Sequence, residues 1–267
     1  MNASRSDLTY GSFGFVGVGK LAAQMVKGLR RAGMQGPIHL LPRSRSISDE
    51  LARDWDCSIS ESRHVFARDC DVVFLACHSR DVPNAIAGIP FTDGNTVISA
   101  VANLAVDVLS EQLSGSPSIY RVMPSMAIEY GVGAIPVYPG AAPVERLLSL
   151  LGEVIVARDE SHFDALTAAT CCHGWMYAIL DELIQGLHRG GLTVPEARSA
   201  VLSNVFAAAQ VCVRNPLVRP RDFADAIAKP GTYTGLGLSY IEEHQGLWAL
   251  EGAVSEVLIA LRERKFA

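Results

Sequence analysis

The sequence predicts an α/β domain built on a doubly wound parallel sheet, followed by an all-helical domain. Three observations carry this. Short, almost uniformly apolar runs alternate with helix-like stretches from residue 12 to about residue 156, a glycine turn follows the first run directly, and after Val156 only helical spacing remains. At 267 residues, with 49% hydrophobic and 19% charged side chains, the chain is long and apolar enough for two medium cores. The expected division is 1–158 and 159–267.

The first run, Ser12–Val16, reads as a strand, and the Gly17–Ala22 turn behind it opens an amphipathic helix closing at Arg31-Ala32-Gly33. Strands are expected at Ile38–Leu41, Asp71–Ala76 and Thr96–Val101, with helices over Ser46–Trp55 and Ala105–Leu113. Strands apolar along both faces belong to a sheet covered on both sides. Beyond Val156, helices are expected over Ser161–Leu187, Val194–Val213, Arg221–Ile227 and Thr234–Arg264, the last broken at Gln245-Gly246. Leu166, Ala169, Met176, Leu180, Leu183, Ile184 and Leu187 recur at helical spacing. That face is too long for its own small domain to cover, so burial against a second copy is expected, in a homodimer or larger homo-oligomer.

The glycine turn is the first chemical signal. Gly17-Val18-Gly19-Lys20-Leu21-Ala22 is a GxGxxA variant of the dinucleotide fingerprint, placed between a strand and a helix as that motif requires. Gly17 permits the tight turn, Gly19 lets a pyrophosphate approach the backbone, and the helix start supplies unpaired N–H groups at Lys20 and Leu21. The plain alternative is a glycine turn without a ligand. At the end of the second strand, where an NAD enzyme usually carries an acid, the chain has Arg43-Ser44-Arg45. Two bases and a hydroxyl suit the 2′-phosphate of NADP, although solvated surface arginines would read the same way. Ala76, His78 and Ala100, at the carboxyl ends of the next strands, complete the candidate cofactor set, because doubly wound folds bind ligands there.

Composition excludes other classes. With 23 Lys+Arg against 28 Asp+Glu, net −5, no basic field exists for nucleic acid or an anionic membrane. The six cysteines include no CxxC pair, and His173 adjoins Cys171-Cys172 instead of standing at a ligand spacing, so no metal site is expected. The start of the chain lacks signal-peptide order and no apolar run has the length of a membrane span, which points to a reducing cytoplasm. The same Cys171-Cys172-His173 run is rejected as a nucleophilic couple, since neighbours on a helix point about 100° apart. Trp175, Trp248, Met126 and Tyr130 read either as an apolar pocket lining or as core and interface.

Several segments, in order and over nearly the whole chain, resemble the pyrroline-5-carboxylate reductase family. Gly14–Ala22 is similar to its GFIGxGxMA opening, Arg43 stands where its NADP-contacting Arg does, and Asp71–Ala76 is similar to its DVVFLA strand. Arg121-Val122-Met123-Pro124 resembles the start of its RxMPN segment, Asp164–Ala168 its DAxTA, and Lys229–Thr234 its SPGGxT. The resemblance implies an N-terminal Rossmann domain, a helical domain that interlocks with a second subunit, and NADPH-dependent reduction of a cyclic imine. Thr234 matches the threonine that contacts the imine, which makes it the catalytic candidate. A helix N-cap behind the Pro-Gly turn is its bland alternative.

The departures fall on the substrate side. After Met123-Pro124 the chain has Ser125-Met126-Ala127 in place of the family's N-T-P, and Thr170–Met176, including Cys172 and His173, replaces the small-residue SGSGPAY run. Lys229 replaces the loop's serine and Tyr233 a small residue, flanking the retained Gly231. Met123, Ser125, Cys172, His173, Lys229, Gly231 and Tyr233 are therefore the candidate substrate residues. They suggest a cyclic imine other than pyrroline-5-carboxylate, as in specialised metabolism. Proline biosynthesis proper and a non-catalytic NADP-binding regulatory protein are the alternatives.

Overall fold

The computed structural model describes residues 11–263. The segment read above for a targeting signal, and the expected helix end at Arg264, lie outside the described residues.

Strands β1 (Phe13–Val18), β2 (Ile38–Pro42), β3 (Ser58–Ile59), β4 (Val72–Leu75), β5 (Thr96–Ser99), β6 (Ser118–Val122), β7 (Ala134–Tyr138) and β8 (Glu153–Val156) form one sheet. Their order is β3-β2-β1-β4-β5-β6-β7-β8. Helices α1 (Lys20–Arg31), α2 (Arg45–Asp54), α3 (Arg63–Phe66), α4 (Val82–Ile86), α5 (Val106–Gln112) and α6 (Ala142–Leu148) connect them. The order reverses at β1, the topological switch that leaves a crevice at the carboxyl ends of β1 and β4.

All six residues of β1 are buried, as a central strand covered on both faces requires. On one face Phe15 stacks on Phe74 of β4, ring centroids 4.7 Å apart, and Met25, Val26 and Leu29 of α1 close over them. On the other, Val16, Val73, Leu75 and Val97 pack against Phe66, Val82 and Leu109. Each large side chain so buried contributes about 1.5–3 kcal/mol.

The sheet is parallel, as expected, at every pairing but one. β6 and β7 run antiparallel, with Arg121 opposite Tyr138 and Val122 opposite Val137. The connection between them holds only the 3-10 turn Met126–Tyr130, too little chain for the helical crossover that a parallel return needs. Several elements carry no usable sequence signal. β3 has two residues, β6 holds Tyr120 and Arg121 in mid-run, β7 contains Pro136, and β8 is only partly buried.

Helix α7 (Glu160–Arg189) begins on an ion cluster that pairs a buried arginine with two half-buried carboxylates. Arg121 Nη1 of β6 is paired to Glu160 Oε2 and lies 3.9 Å from Asp164 Oδ1, with its guanidinium 4.3 Å above the Phe163 ring. Glu160 Oε1 accepts the Val106 N–H at the start of α5, at 3.1 Å. One carboxylate thus joins β6, α5 and α7, and its charge favours the positive end of the helix it opens.

The chain divides into two compact units, residues through Thr170 with the stretch from Leu258 onward, and Cys171–Val257. The helical unit contains most of α7, then α8 (Val194–Arg214), α9 (Pro220–Ile227), α10 (Tyr233–Glu243) and most of α11 (Gly246–Arg262). Thr193 and Glu196 start α8 with a reciprocal capping box. Only Ile184, Ala197 and Val201 form a buried apolar cluster in this unit, while Phe206, Val213, Leu236 and Trp248 are each at least 66% exposed. Among the described residues no helix is long and apolar enough to cross a membrane.

The ion cluster gives a stability test. Glu160→Gln, which leaves the Arg121 guanidinium buried without its full counter-charge, is expected to cost about 2–4 kcal/mol in denaturant unfolding at pH 7. Asp54→Asn, which breaks an exposed pair with Arg53, is expected to leave stability essentially unchanged. Equal losses would show that the Arg121 cluster does not hold the start of α7.

Candidate active site

The site in the first unit begins with a close approach. Gly17 has φ +83°, and a Cβ there would lie 2.8 Å from Cys77 Cβ, at the end of β4. Only glycine satisfies both conditions cheaply. The chain then turns through Gly19, which caps α1 without a side chain, and no acid occupies the first turn. The leading N–H groups of α1 are therefore left for an anion. A Cβ on Gly19 would meet nothing nearer than the Gly17 carbonyl oxygen at 3.8 Å, so the backbone there is open to a ligand.

Two cavities flank this turn. The larger, about 830 Å³, is lined by Gly19, Lys20, Leu21, Ala76, His78 and Ala100, with Met126 from the turn after β6. The smaller, about 240 Å³, is lined by Val16, Gly17, Leu41, Pro42, Arg63 and Asp81. Arg43 and Cys77 border both. Burial, reinforced by the Asp81 charge, holds the Cys77 thiol above its ordinary range, so it stays neutral beside any bound anion.

Eight of the sequence-derived cofactor residues, Gly17, Gly19, Lys20, Leu21, Arg43, Ala76, His78 and Ala100, thus border adjoining cavities. Val18, Ser44 and Arg45 do not. Val18 is wholly buried in the sheet and its carbonyl oxygen accepts the Ser44 N–H at 3.2 Å. The Ser44 hydroxyl lies 3.2 Å from that of Ser46, and Arg45, first residue of α2, is exposed. Arg43 reaches toward Asp81, its Nη2 4.0 Å from Oδ2. Asp81 and Arg63 are wall residues that the sequence reading passed over. No local pattern marks them, since each reaches the cavity through the fold.

On the substrate side the residues fall in both units. Ser125 is buried, its Oγ accepting the Ala127 N–H at 3.3 Å. Met123 is half-buried, and its carbonyl oxygen accepts a hydrogen bond from the Thr170 hydroxyl at 3.3 Å, tying α7 to the segment after β6. Cys172 and His173 are half-buried on α7. His173 Nε2 lies 3.2 Å from the Tyr177 hydroxyl one turn on, with the rings edge to face at 4.9 Å. The histidine's partner is thus a tyrosine at helical spacing. Burial raises the Cys171 thiol above its ordinary range, which further disfavours a nucleophile here.

In the helical unit the Lys229–Thr234 loop turns through Gly231, at φ +82°. Thr232 Oγ1 donates to the Lys229 carbonyl oxygen at 2.8 Å and accepts the Gly235 N–H at 3.0 Å. The N-cap of α10 is therefore Thr232, which corrects the N-cap alternative for Thr234. Thr234 stands one turn position inside α10, exposed, its hydroxyl outside the cap. Gly231 and Tyr233 line a cavity of about 440 Å³ with Pro230, Thr232, Leu236 and Ser239, whereas Lys229 and Thr234 do not line it. Trp248 and Tyr130 are exposed and Trp175 is half-buried, and the Tyr130 ring receives the Arg31 guanidinium at 5.2 Å.

Two family models match separate stretches of the chain. Residues 12–103 match a family described as NADP oxidoreductase coenzyme F420-dependent, and residues 160–265 one described as pyrroline-5-carboxylate reductase dimerisation. Pyrroline-5-carboxylate reductase 2 of Bacillus subtilis is 25% identical over 242 residues, 86% of each chain. The solved 1-pyrroline-5-carboxylate reductase of Streptococcus pyogenes superposes with TM-score 0.84 at 22% identity, over 94% of this chain and 98% of that one. The pyrroline carboxylate reductase of Plasmodium falciparum, solved with NADP bound, gives TM-score 0.84 at 19% identity, over 96% and 98%. The helical half thus matches the dimerisation model of the pyrroline-5-carboxylate reductases, and the chain shares its fold from end to end with solved reductases of that name.

Proposed function

We propose that this protein is an NADPH-dependent reductase of the C=N bond of a cyclic imine. The observation that carries the reading is the division of roles in the loop before α10, where Thr232 serves the helix cap and Thr234 is left exposed with a free hydroxyl. A threonine kept at that position without a capping duty is available to a ligand.

When bound, NADPH supplies the hydride that reduces the imine carbon. The N–H groups at the start of α1 bind the pyrophosphate where the Gly17–Leu21 turn opens, and Arg43 pairs with the 2′-phosphate, no acid standing at the end of β2 to bind a ribose hydroxyl instead. Thr234 orients the imine nitrogen and holds its proton at hydrogen-bond distance. The substrate is a cyclic imine other than pyrroline-5-carboxylate, because Lys229 and Tyr233 alter the loop and Cys171–Trp175 replaces small residues. A second reading, pyrroline-5-carboxylate itself, is supported by the names of the relatives and by one observation. Tyr233, although it lines the loop cavity, is 95% exposed. The working unit is a homodimer or larger homo-oligomer, in which a partner covers the apolar faces of the helical unit.

Three measurements test this. Titration is expected to show NADPH binding about ten- to a hundredfold more tightly than NADH, the worth of a charge-assisted contact of about 1.5–3 kcal/mol. Arg43→Ala should abolish the difference, and equal affinities in the wild type would defeat the NADP assignment. Steady-state rates over a panel of cyclic imines, with and without a carboxylate, should fall roughly 10- to 1,000-fold in Thr234→Ala. Full activity in that variant removes the threonine from the mechanism, and efficient turnover of pyrroline-5-carboxylate by the wild type decides for the second reading. Light scattering at low micromolar concentration should find no monomer.

A further inference from the structure

We infer that Asp81 is a specificity-determining residue that competes with the cofactor's 2′-phosphate for Arg43 and so limits the preference for NADPH over NADH. The inference rests on the NADP reading above and concerns how strongly this chain discriminates.

Asp81 ends the 3-10 turn Ser79–Asp81 that follows β4, and its backbone N–H donates to the His78 carbonyl oxygen at 2.9 Å. It is also the residue before α4, yet its carboxylate makes no capping hydrogen bond there. The helix does not use the charge. The carboxylate instead forms part of the wall of the smaller cavity, with Oδ2 4.0 Å from Arg43 Nη2 and Oδ1 3.9 Å from Arg80 Nε. Both separations exceed hydrogen-bond length, so the two guanidinium groups are attracted to Asp81 without being locked by it.

Arg43 borders both cavities and is the base that a 2′-phosphate would engage. Docking that phosphate on Arg43 draws the guanidinium from Asp81 and brings a doubly negative group toward a carboxylate in the same wall. NADH carries no phosphate there and leaves the Arg43–Asp81 pair as it is. Arg80, which lines the larger cavity with Arg43 and lies nearer the other carboxylate oxygen, offsets part of the repulsion. For partly exposed charges several ångströms apart, screened by solvent, the remaining penalty amounts to roughly three- to tenfold in affinity. It applies only to the phosphorylated ligand.

Binding of adenosine 2′,5′-bisphosphate and of 5′-AMP, measured by calorimetry on the full chain, isolates this contact without catalysis. Asp81→Asn is expected to tighten the bisphosphate about three- to tenfold and to leave 5′-AMP within about twofold, whereas Asp81→Glu, which keeps the charge, should keep the wild-type ratio. Unchanged or weaker bisphosphate binding in Asp81→Asn, equal shifts for both ligands, or Asp81→Glu behaving as Asp81→Asn does, overturns the inference while leaving the NADP reading intact. A wild type that binds the two ligands equally overturns the NADP reading and this inference with it.

Discussion

No Cβ fits at Gly17, near the end of β1, against Cys77, just past the end of β4, and the whole nucleotide side of the molecule is organised around that approach. Because Gly17 passes so close to Cys77, the carboxyl ends of β1, β2 and β4 converge on one crevice. The start of α1, the base at the end of β2 and the His78–Asp81 segment after β4 all open into it. The buried faces of β1 and β4 hold the strands in register, Phe15 opposite Phe74 and Val16 opposite Leu75, so the approach is imposed by packing and not by the loop itself. A larger residue at Gly17 would have to separate the two central strands or strain the turn.

The second organising contact is electrostatic. Arg121 is almost wholly buried, and its compensation comes from Glu160, Asp164 and the face of Phe163, all in the first two turns of α7. A buried guanidinium is costly unless paired, so β6 and the start of α7 are specified together. The Thr170 hydroxyl on the Met123 carbonyl adds a neutral contact farther along the same helix. In this way β6, the interior strand from which the antiparallel return to β7 begins, is tied to the start of the long helix.

The helical unit follows a different rule. Its helices are well begun, α8 by the Thr193–Glu196 box and α10 by Thr232, but they bury little among themselves. Local capping makes helices and tertiary contact stabilises them, and Phe206, Val213, Leu236 and Trp248 of this unit stand exposed in the single chain, the faces that a second copy would cover in the proposed homo-oligomer.

By itself the sequence determined what depends on neighbours in the chain. The apolar runs of β1, β2, β4 and β5, the glycine turn, the bases behind β2 and the spacing of the long helices were all legible, because period and turn chemistry act over a few residues. The helical boundaries beyond residue 156 were legible for the same reason. Tertiary structure alone decided the rest. It reversed β7, since the short link after β6 admits no crossover, and made strands of β6 and β8, whose polar residues hide them. Thr232 was chosen over Thr234 as the cap, a matter of one backbone turn through Gly231 that composition does not specify. Asp81 came to Arg43 from another loop, and Arg121 was given carboxylates from a distant helix. Such pairs are set by distances in space between residues remote in sequence, and no local pattern records them.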